Sequence, residues 1–161
     1  MLKLTKKADY GLIALRHLAM SARQDESSSA KQIADTYGVP LPLLSKVLQR
    51  LARTGFLESL QGTNGGYRLA RPSSEISVLE VIHTIDGPVI LTSCFQEESD
   101  CDHARNCTVR EPLRKVHDAI SNLLNSITIA DISTGDIPTG HPARKPTGGG
   151  TLVALEEFVR S

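Results

Sequence analysis

The three cysteines of this 161-residue chain, Cys94, Cys101 and Cys107, all lie in one short segment, CFQEESDCDHARNC. The other residues of this segment are mostly acidic or polar. A structural free cysteine behaves as a small apolar residue and belongs in a core, which such a segment cannot build. Thiolates on a loop can instead surround one soft metal centre. The segment therefore predicts a metal or redox centre.

Two other cysteine chemistries compete with this interpretation. Zinc could use the three cysteines and His103 as a Cys3His set, but structural zinc sites usually contain two cysteines only two to four residues apart, and this segment has no such pair. A thiol redox switch needs a cysteine with a lowered pKa, whereas the acidic neighbours would raise thiol pKa values. Both alternatives stay open.

Composition points to one domain with an appendage in the cytoplasm. The apolar stretch near the amino terminus is interrupted by Arg16 and His17, which argues against a signal peptide, and no window could span a membrane. Residues 1–71 hold 11 Lys and Arg against 5 Asp and Glu, while residues 72–161 hold 7 against 13. The basic half is the candidate for contact with DNA phosphates.

The elements that would position this centre begin with three helices. Apolar residues at helical spacing predict a first helix over 6–23, and a second helix, AKQIADTY, is expected between a Ser29 cap and Gly38. The segment LLSKVLQRLARTG predicts a third, amphipathic helix that ends at Gly55. This arrangement fits a helix-turn-helix whose last helix enters the major groove. The alternative is an ordinary three-helix packing unit.

The next segment favours DNA binding. FLESL and YRLARP predict two short strands around the Gly- and Asn-rich turn QGTNGG, so a hairpin follows the third helix as a wing. A fourth helix, VLEVIHTIDG, should hold His83 as a packed or half-buried residue. After the cysteines, apolar residues recur as a seam along a long helix, which we expect to pair with a second subunit rather than its own domain. The seam consists of Leu113, Val116, Ile120, Leu123, Leu124 and Ile127.

The predicted fold is mainly α: a winged helix-turn-helix with a small two-stranded β wing and a long C-terminal dimerisation helix. Residues 1–87 would form the DNA-binding domain, 88–107 the cysteine loop, 108–132 the dimerisation helix and 133–161 a disordered tail. The sequence shows no combination of nucleophile and base, no phosphate loop and no paired carboxylates, so an enzyme is not expected. A non-DNA interaction module remains the alternative of another class.

Four stretches together resemble a known family: LTKKADYGLIALRHLA, LESLQGTNGGYRLARP, ISVLEVI, and the three cysteines ahead of NSITIADI. They are similar to the bacterial Rrf-type iron-sulfur winged-helix regulators, which include IscR-like, NsrR-like and RirA-like proteins. The likeness is greatest to regulators of the SUF cluster-assembly operon. The resemblance implies a homodimeric repressor on a pseudo-palindromic operator, with an iron-sulfur cluster held by the three cysteines.

The fourth cluster ligand departs from the IscR-like pattern. The resemblance implies a histidine three residues after the last cysteine, but Arg110 stands there and cannot ligate iron. NsrR-like members use an aspartate in the first helix of the partner subunit, which corresponds here to Asp9. Asp9 is therefore the first candidate for the fourth ligand. His103 and Glu111 are second choices, and His117 is more distant. An aspartate ligand together with the missing histidine favours a [4Fe-4S] over a [2Fe-2S] cluster.

The candidate DNA contacts fall into two groups. Ser45, Lys46 and Gln49 are expected to contact base edges in the major groove, whereas Arg50, Arg53 and Arg68 are expected to contact phosphates. At the wing tip the resemblance implies an arginine in the minor groove, but Gln61 occupies that position.

Overall fold

The computed structural model describes residues 3–22, 26–62, 65–92, 95 and 107–137. In chain order its helices and strands are α1 (Lys6–Ser21), α2 (Ala30–Tyr37), α3 (Leu41–Arg53), β1 (Leu57–Leu60), β2 (Gly66–Leu69), α4 (Val78–Asp86), α5 (Arg110–Ser126) and α6 (Ile129–Thr134). A short 3-10 turn, Ser73–Glu75, precedes α4. Cys94 and Cys101 lie outside the described residues, as do residues 138–161 of the predicted tail.

Local signals in the sequence set the ends of α2. The Ser29 hydroxyl accepts from the Gln32 amide while the Gln32 side chain accepts from the Ser29 amide, which makes a capping box. Gly38 ends the helix in the left-handed region at φ 63°, a conformation that glycine adopts without strain. Both predicted boundaries are confirmed.

The third helix begins two residues before the expected LLSK start, at Leu41. Pro42 is tolerated there because the first residues of a helix do not need their amide groups for intrahelical bonds. The predicted apolar face is confirmed, since Leu44, Val47, Leu48 and Leu51 are all buried. The helix therefore presents its polar residues outward.

The wing is an antiparallel hairpin in which Leu57 pairs with Leu69 and Leu60 with Gly66. Ser28 joins its edge: the Ser28 amide donates to the Tyr67 carbonyl at 3.1 Å and the Tyr67 amide donates back at 2.9 Å. A Cβ on Gly66 would lie 2.6 Å from the Ser28 carbonyl oxygen. A glycine is therefore required where the loop before α2 meets the wing.

The core lies where α1 crosses α3 and α4. Gly11 allows the close approach of α1 to α4, because a Cβ at this position would overlap the Cδ1 atom of Ile85. At the start of α1, the amide and hydroxyl of Thr5 both donate to the carboxylate of Asp86. The first helix is thus fixed to α4 along its length and at its end.

The segment 108–132, expected to be one helix, is divided at Ile127 and Thr128. A second capping box explains the break, since the Thr128 hydroxyl accepts from the Asp131 amide and the Asp131 carboxylate accepts from the Thr128 amide. The new helix, α6, packs against α1 and places Ile129 in the core with no exposed surface. We call α1–α4, the wing and α6 the winged domain.

Backbone hydrogen bonds hold the start of α4 beside the end of α5. The Val78 amide donates to the Ile127 carbonyl and the Ile129 amide donates to the Ile76 carbonyl, each at 2.9 Å. The residues paired across this short antiparallel bridge are Ser77 and Thr128. The two helices that flank the cysteine segment are therefore joined at their far ends.

The seam of α5 is only partly covered by its own subunit. Leu124 and Ile127 pack against the cluster that contains Val78, Ile82 and Val89. Val116 and Leu123, by contrast, are 47% and 50% exposed. No residue of α5 is buried.

Two expectations outside the core need correction or restriction. His83, predicted to be packed or half-buried, is exposed, because it lies on the side of α4 opposite Val81 and Ile85. Of the predicted tail, Ser133 and Thr134 belong to α6.

Candidate nucleic-acid interface and cysteine centre

The outward face of α3 is cationic. Lys46, Gln49, Arg50 and Arg53 are exposed and Ser45 is half-buried. Within the described ranges none of the three cations has an acidic partner at ion-pair distance. Their charges are therefore available to an anionic ligand such as a phosphate backbone.

Arg68 on the wing differs from these cations because it is already paired. Its guanidinium contacts the Glu58 carboxylate across the hairpin at 2.8 Å, with about half of each side chain exposed. A phosphate contact by Arg68 would have to share or replace this ion pair. Gln61, which directly follows β1, is exposed.

Arg71, at the base of the wing, has a structural position. Its guanidinium lies 4.8 Å from the centre of the Phe56 ring and 3.2 Å from the Glu80 carboxylate, and it donates to the Glu75 carbonyl. The backbone amide of Ser77 lowers the pKa of Glu80, and Arg71 lowers the pKa of that carboxyl further. Arg71 therefore joins the wing to the start of α4.

His17 holds a structural position that the sequence did not reveal. One ring nitrogen is 3.2 Å from the Tyr37 hydroxyl and the other is 3.1 Å from the Ser28 hydroxyl. The rings of His17 and Tyr37 also meet edge to face, and burial lowers the pKa of His17. One imidazole thus links α1, α2 and the residue that pairs with the wing.

Of the predicted cysteine centre, the structure describes only Cys107, which lines an open cleft against the first turns of α5. Cys107 is half-buried and lies three residues before the first residue of this helix, Arg110. The cleft has a volume of about 630 Å³ and is lined by Phe95, Cys107, Arg110, Glu111, Arg114, His117 and Asp118. The third cysteine therefore lies among charged residues and not in an apolar core.

The candidate fourth ligands differ in their surroundings. Glu111 is paired with Arg114 at 2.8 Å, and this guanidinium lowers the pKa of Glu111. His117, predicted to be more distant, lines the same cleft as Cys107 and contacts the Phe95 ring at 5.4 Å between centroids. Arg110 also lines the cleft, while His103 lies outside the described residues.

Asp9 lies elsewhere on the subunit, exposed in the first turn of α1. It does not line the Cys107 cleft. Asp9 lies one helical turn after Thr5, whose amide donates a hydrogen bond to the Asp86 carboxylate. Asp86 ends α4, shortly before the cysteine segment. Among the described residues, no three His, Cys, Asp or Glu side chains are close enough together to hold a metal ion.

Most of the chain matches one protein-family model. Residues 4–135 match the Rrf2 model, described as an iron-dependent transcriptional regulator. The chain belongs to the Rrf2 family. The predicted resemblance and the winged-helix fold are both confirmed.

Individual Rrf2 proteins show how far this similarity extends. The transcriptional regulator NsrR of Shouchella clausii is 33% identical over 132 residues, which cover 81% of this chain and 88% of that protein. CymR, the global cysteine regulator of B. subtilis, has a solved structure with a TM-score of 0.71 and 27% identity, covering 84% of this chain and 98% of its own. The T. potens IscR structure has a TM-score of 0.64 and 26% identity, covering 92% and 94%.

These comparisons make the protein an Rrf2-family transcriptional regulator with a DNA-binding winged helix. In the described residues, no helix is long and apolar enough to cross a membrane.

Proposed function

We propose that this Rrf2 protein is a repressor that binds DNA through α3 and the wing, and that an iron-sulfur cluster held by Cys94, Cys101 and Cys107 controls its affinity. The observation that carries the DNA-binding part is the exposed cationic face of α3, whose charges have no acidic partner within the described ranges. The cluster part is supported by the family description and by the position of Cys107 in an open cleft that charged side chains also line.

In the proposed complex α3 lies in the major groove. Ser45, Lys46 and Gln49 contact base edges, while Arg50 and Arg53 contact phosphates. Arg68 adds a phosphate contact at the wing in exchange for part of its bond to Glu58. Gln61 at the wing tip carries no charge, so readout of the minor groove by this residue is weak.

The active form is a homodimer paired along α5. Val116 and Leu123 are about half exposed, and no residue of this helix is buried within its own subunit. A second copy of α5 would cover the open part of the seam. Two α3 helices related by a twofold axis then match a pseudo-palindromic operator.

The donor set of the cysteine centre suits an iron-sulfur cluster. Thiolates are the usual ligands, and a cluster with three protein sulfurs keeps one iron weakly held, which makes it responsive to oxygen, nitric oxide or iron supply. Arg110 lines the cleft but cannot ligate. We assign the fourth position to Asp9 of the partner subunit and favour [4Fe-4S] over [2Fe-2S], with cluster-assembly genes as the target.

The arrangement of α4 and α5 suggests how the centre could influence DNA binding. The cysteine segment joins the end of α4 to the start of α5, while the bridge between Ser77 and Thr128 fixes the opposite ends. Ligands drawn together in the segment would reposition the start of α5. Because α5 forms the dimer contact, the distance between the two α3 helices would change.

The DNA-binding part is tested with Lys46→Ala and Arg53→Ala. Lys46→Ala should lower the ratio of operator affinity to random-DNA affinity. Arg53→Ala should weaken binding to both DNAs and reduce the slope of log affinity against log salt concentration by about one. Mobility-shift titrations at several salt concentrations measure these quantities. Equal losses on both DNAs from both variants would contradict the assignment of roles.

The cluster part is tested by anaerobic purification, with absorption and Mössbauer spectra and metal analysis. Cys107→Ala should abolish the cluster, and Asp9→Ala should alter both its spectrum and the cluster-dependent change in operator affinity. Asp35→Ala, at an exposed carboxylate on α2, is the matched control and should change neither. A colourless protein with stoichiometric zinc would overturn the cluster, and an unaltered Asp9→Ala protein would remove this residue as ligand.

A further inference from the structure

The N-terminal end of α3 carries an exposed apolar surface. Pro40, Leu41 and Pro42 are consecutive and all exposed, with 39% of Leu41 accessible to solvent. The core contacts of the helix come from the face of Leu44, Val47, Leu48 and Leu51. Pro42 lies on the opposite side, whereas Leu41 precedes Leu44 by three residues and lies at the border of the core face. We call Pro40–Pro42 the apolar tip.

The apolar tip continues the cationic face of α3. Pro42 precedes Lys46, Gln49 and Arg53 by four, seven and eleven residues, so helical geometry places these four side chains along one ridge. Leu41 precedes Ser45 by four residues and flanks the ridge. A ligand that binds the cationic ridge therefore meets the apolar tip at the first turn.

The same turn is poorly equipped to bind a phosphate. Helix N-termini bind anions through free amide groups. Here Pro42 has no amide hydrogen, the Leu43 and Leu44 amides donate to the Pro40 carbonyl at 3.1 and 3.0 Å, and Pro40 supplies no side-chain cap. The chemistry of this turn favours an apolar contact.

Double-stranded DNA presents one such apolar group in the major groove, the C5-methyl group of thymine. Residues at the start of a recognition helix are those that reach the base edges. The cations that follow along the ridge complement the charge of the backbone on either side of the groove.

We propose that Leu41 and Pro42 are specificity-determining residues that contact thymine methyl groups in each operator half-site. This inference rests on the proposed binding of DNA by α3. It adds an apolar readout to the polar contacts of Ser45, Lys46 and Gln49, and it predicts a thymine beside the bases that those residues contact.

The test removes the thymine methyl group from the DNA and, separately, the Leu41 or Pro42 side chain from the protein. An operator is selected from a random duplex library with the full-length protein, and each thymine is replaced in turn by deoxyuridine. At one or two positions per half-site the affinity should fall by about four-fold, the value for one buried methyl group. In Leu41→Ala or Pro42→Ala protein the same replacement should have no effect at the position that the side chain contacts.

Two controls separate this contact from general effects. Met20→Ala removes another exposed apolar side chain, which is 47% accessible on α1, and should keep the full sensitivity to deoxyuridine. Leu41→Met retains apolar volume and should keep most of it. Circular dichroism and thermal unfolding establish that each variant is folded, as expected for exposed positions.

The outcomes distinguish the two levels of the proposal. If the protein binds its operator tightly but no thymine is sensitive, or if Leu41→Ala and Pro42→Ala keep the wild-type sensitivity, the apolar contact is refuted while DNA binding by α3 stands. If the library yields no operator and the protein shows no salt-sensitive DNA affinity, the proposed function itself fails.

Discussion

Ile129→Ala tests whether α6 is an integral part of the winged domain. Ile129 follows the break after α5 and has no exposed surface, packed in the same core as α1 and α3. Its amide also donates to Ile76, and this bond survives the substitution. The variant therefore removes packing at one site and leaves the backbone pairing in place.

The expected cost follows from the atoms removed. Isoleucine loses three carbon atoms, and each buried carbon contributes about 0.8 kcal/mol, which gives about 2.5 kcal/mol for transfer alone. The cavity left behind adds to this value, and buried isoleucines replaced by alanine cost about 2–5 kcal/mol. We expect the free energy of unfolding to fall by about 3–4 kcal/mol, or about 10 °C in the midpoint.

The assay is urea and thermal unfolding followed by circular dichroism at one fixed protein concentration, because dimerisation makes stability depend on concentration. Ile137→Ala is the matched control, since its side chain is 48% exposed and should change stability by less than about 0.5 kcal/mol. Equal effects of the two substitutions would refute the inclusion of α6 in the core.

Three further substitutions address the contacts that hold the wing. Burial lowers the pKa of His17 from its ordinary value of 6.5, so the unfolded chain binds a proton more readily than the folded chain just below that pH. Stability should therefore fall as pH drops below about 6.5, and less so in His17→Gln; parallel profiles would contradict this. Gly66→Ala should cost about 1–3 kcal/mol in urea unfolding, because its Cβ would overlap the Ser28 carbonyl. Arg71→Ala should cost about 1–2 kcal/mol by losing contacts to Phe56 and α4, yet leave the ratio of operator to random-DNA affinity unchanged.

The parts of the fold that were predictable depend on local patterns. The apolar residues of α3 recur at helical spacing, and all four predicted core positions from Leu44 to Leu51 are buried. Ser29 and Gly38 carry their own capping chemistry, so the ends of α2 could be placed without knowledge of the rest of the chain. The wing could be predicted from the Gly- and Asn-rich turn between two short strands.

The parts that were missed depend on residues distant in sequence. The exposure of His83 was misjudged because the side of α4 that packs is chosen by α1 and α3. The partners of His17 lie 11 and 20 residues away, a separation that no helical pattern marks. The break before α6 had a usable signal, because Thr128 and Asp131 form a capping-box pair within an otherwise apolar run.

The candidate site shows the same division. The amphipathic pattern of α3 predicts the residues of its cationic face, and the structure places them on the exposed side of the helix. The position of Arg68 in an ion pair with Glu58 depends on strand register, which the turn alone did not determine. In the proposed homodimer, the distance between Asp9 and the cysteines of the partner subunit depends on how the two subunits meet, which a single sequence does not specify.

The pairing of Ser77 with Thr128 makes the winged domain discontinuous along the chain. Ile129 completes a core whose other buried members lie between Ala8 and Ile85. During synthesis this core cannot be completed until the residues that follow the cysteine segment have left the ribosome, since domains fold as units. A ribosome that stalls within α5 would therefore expose an incomplete apolar core. A truncation that removes α6 would destabilise the DNA-binding elements, although these lie far from α6 along the chain.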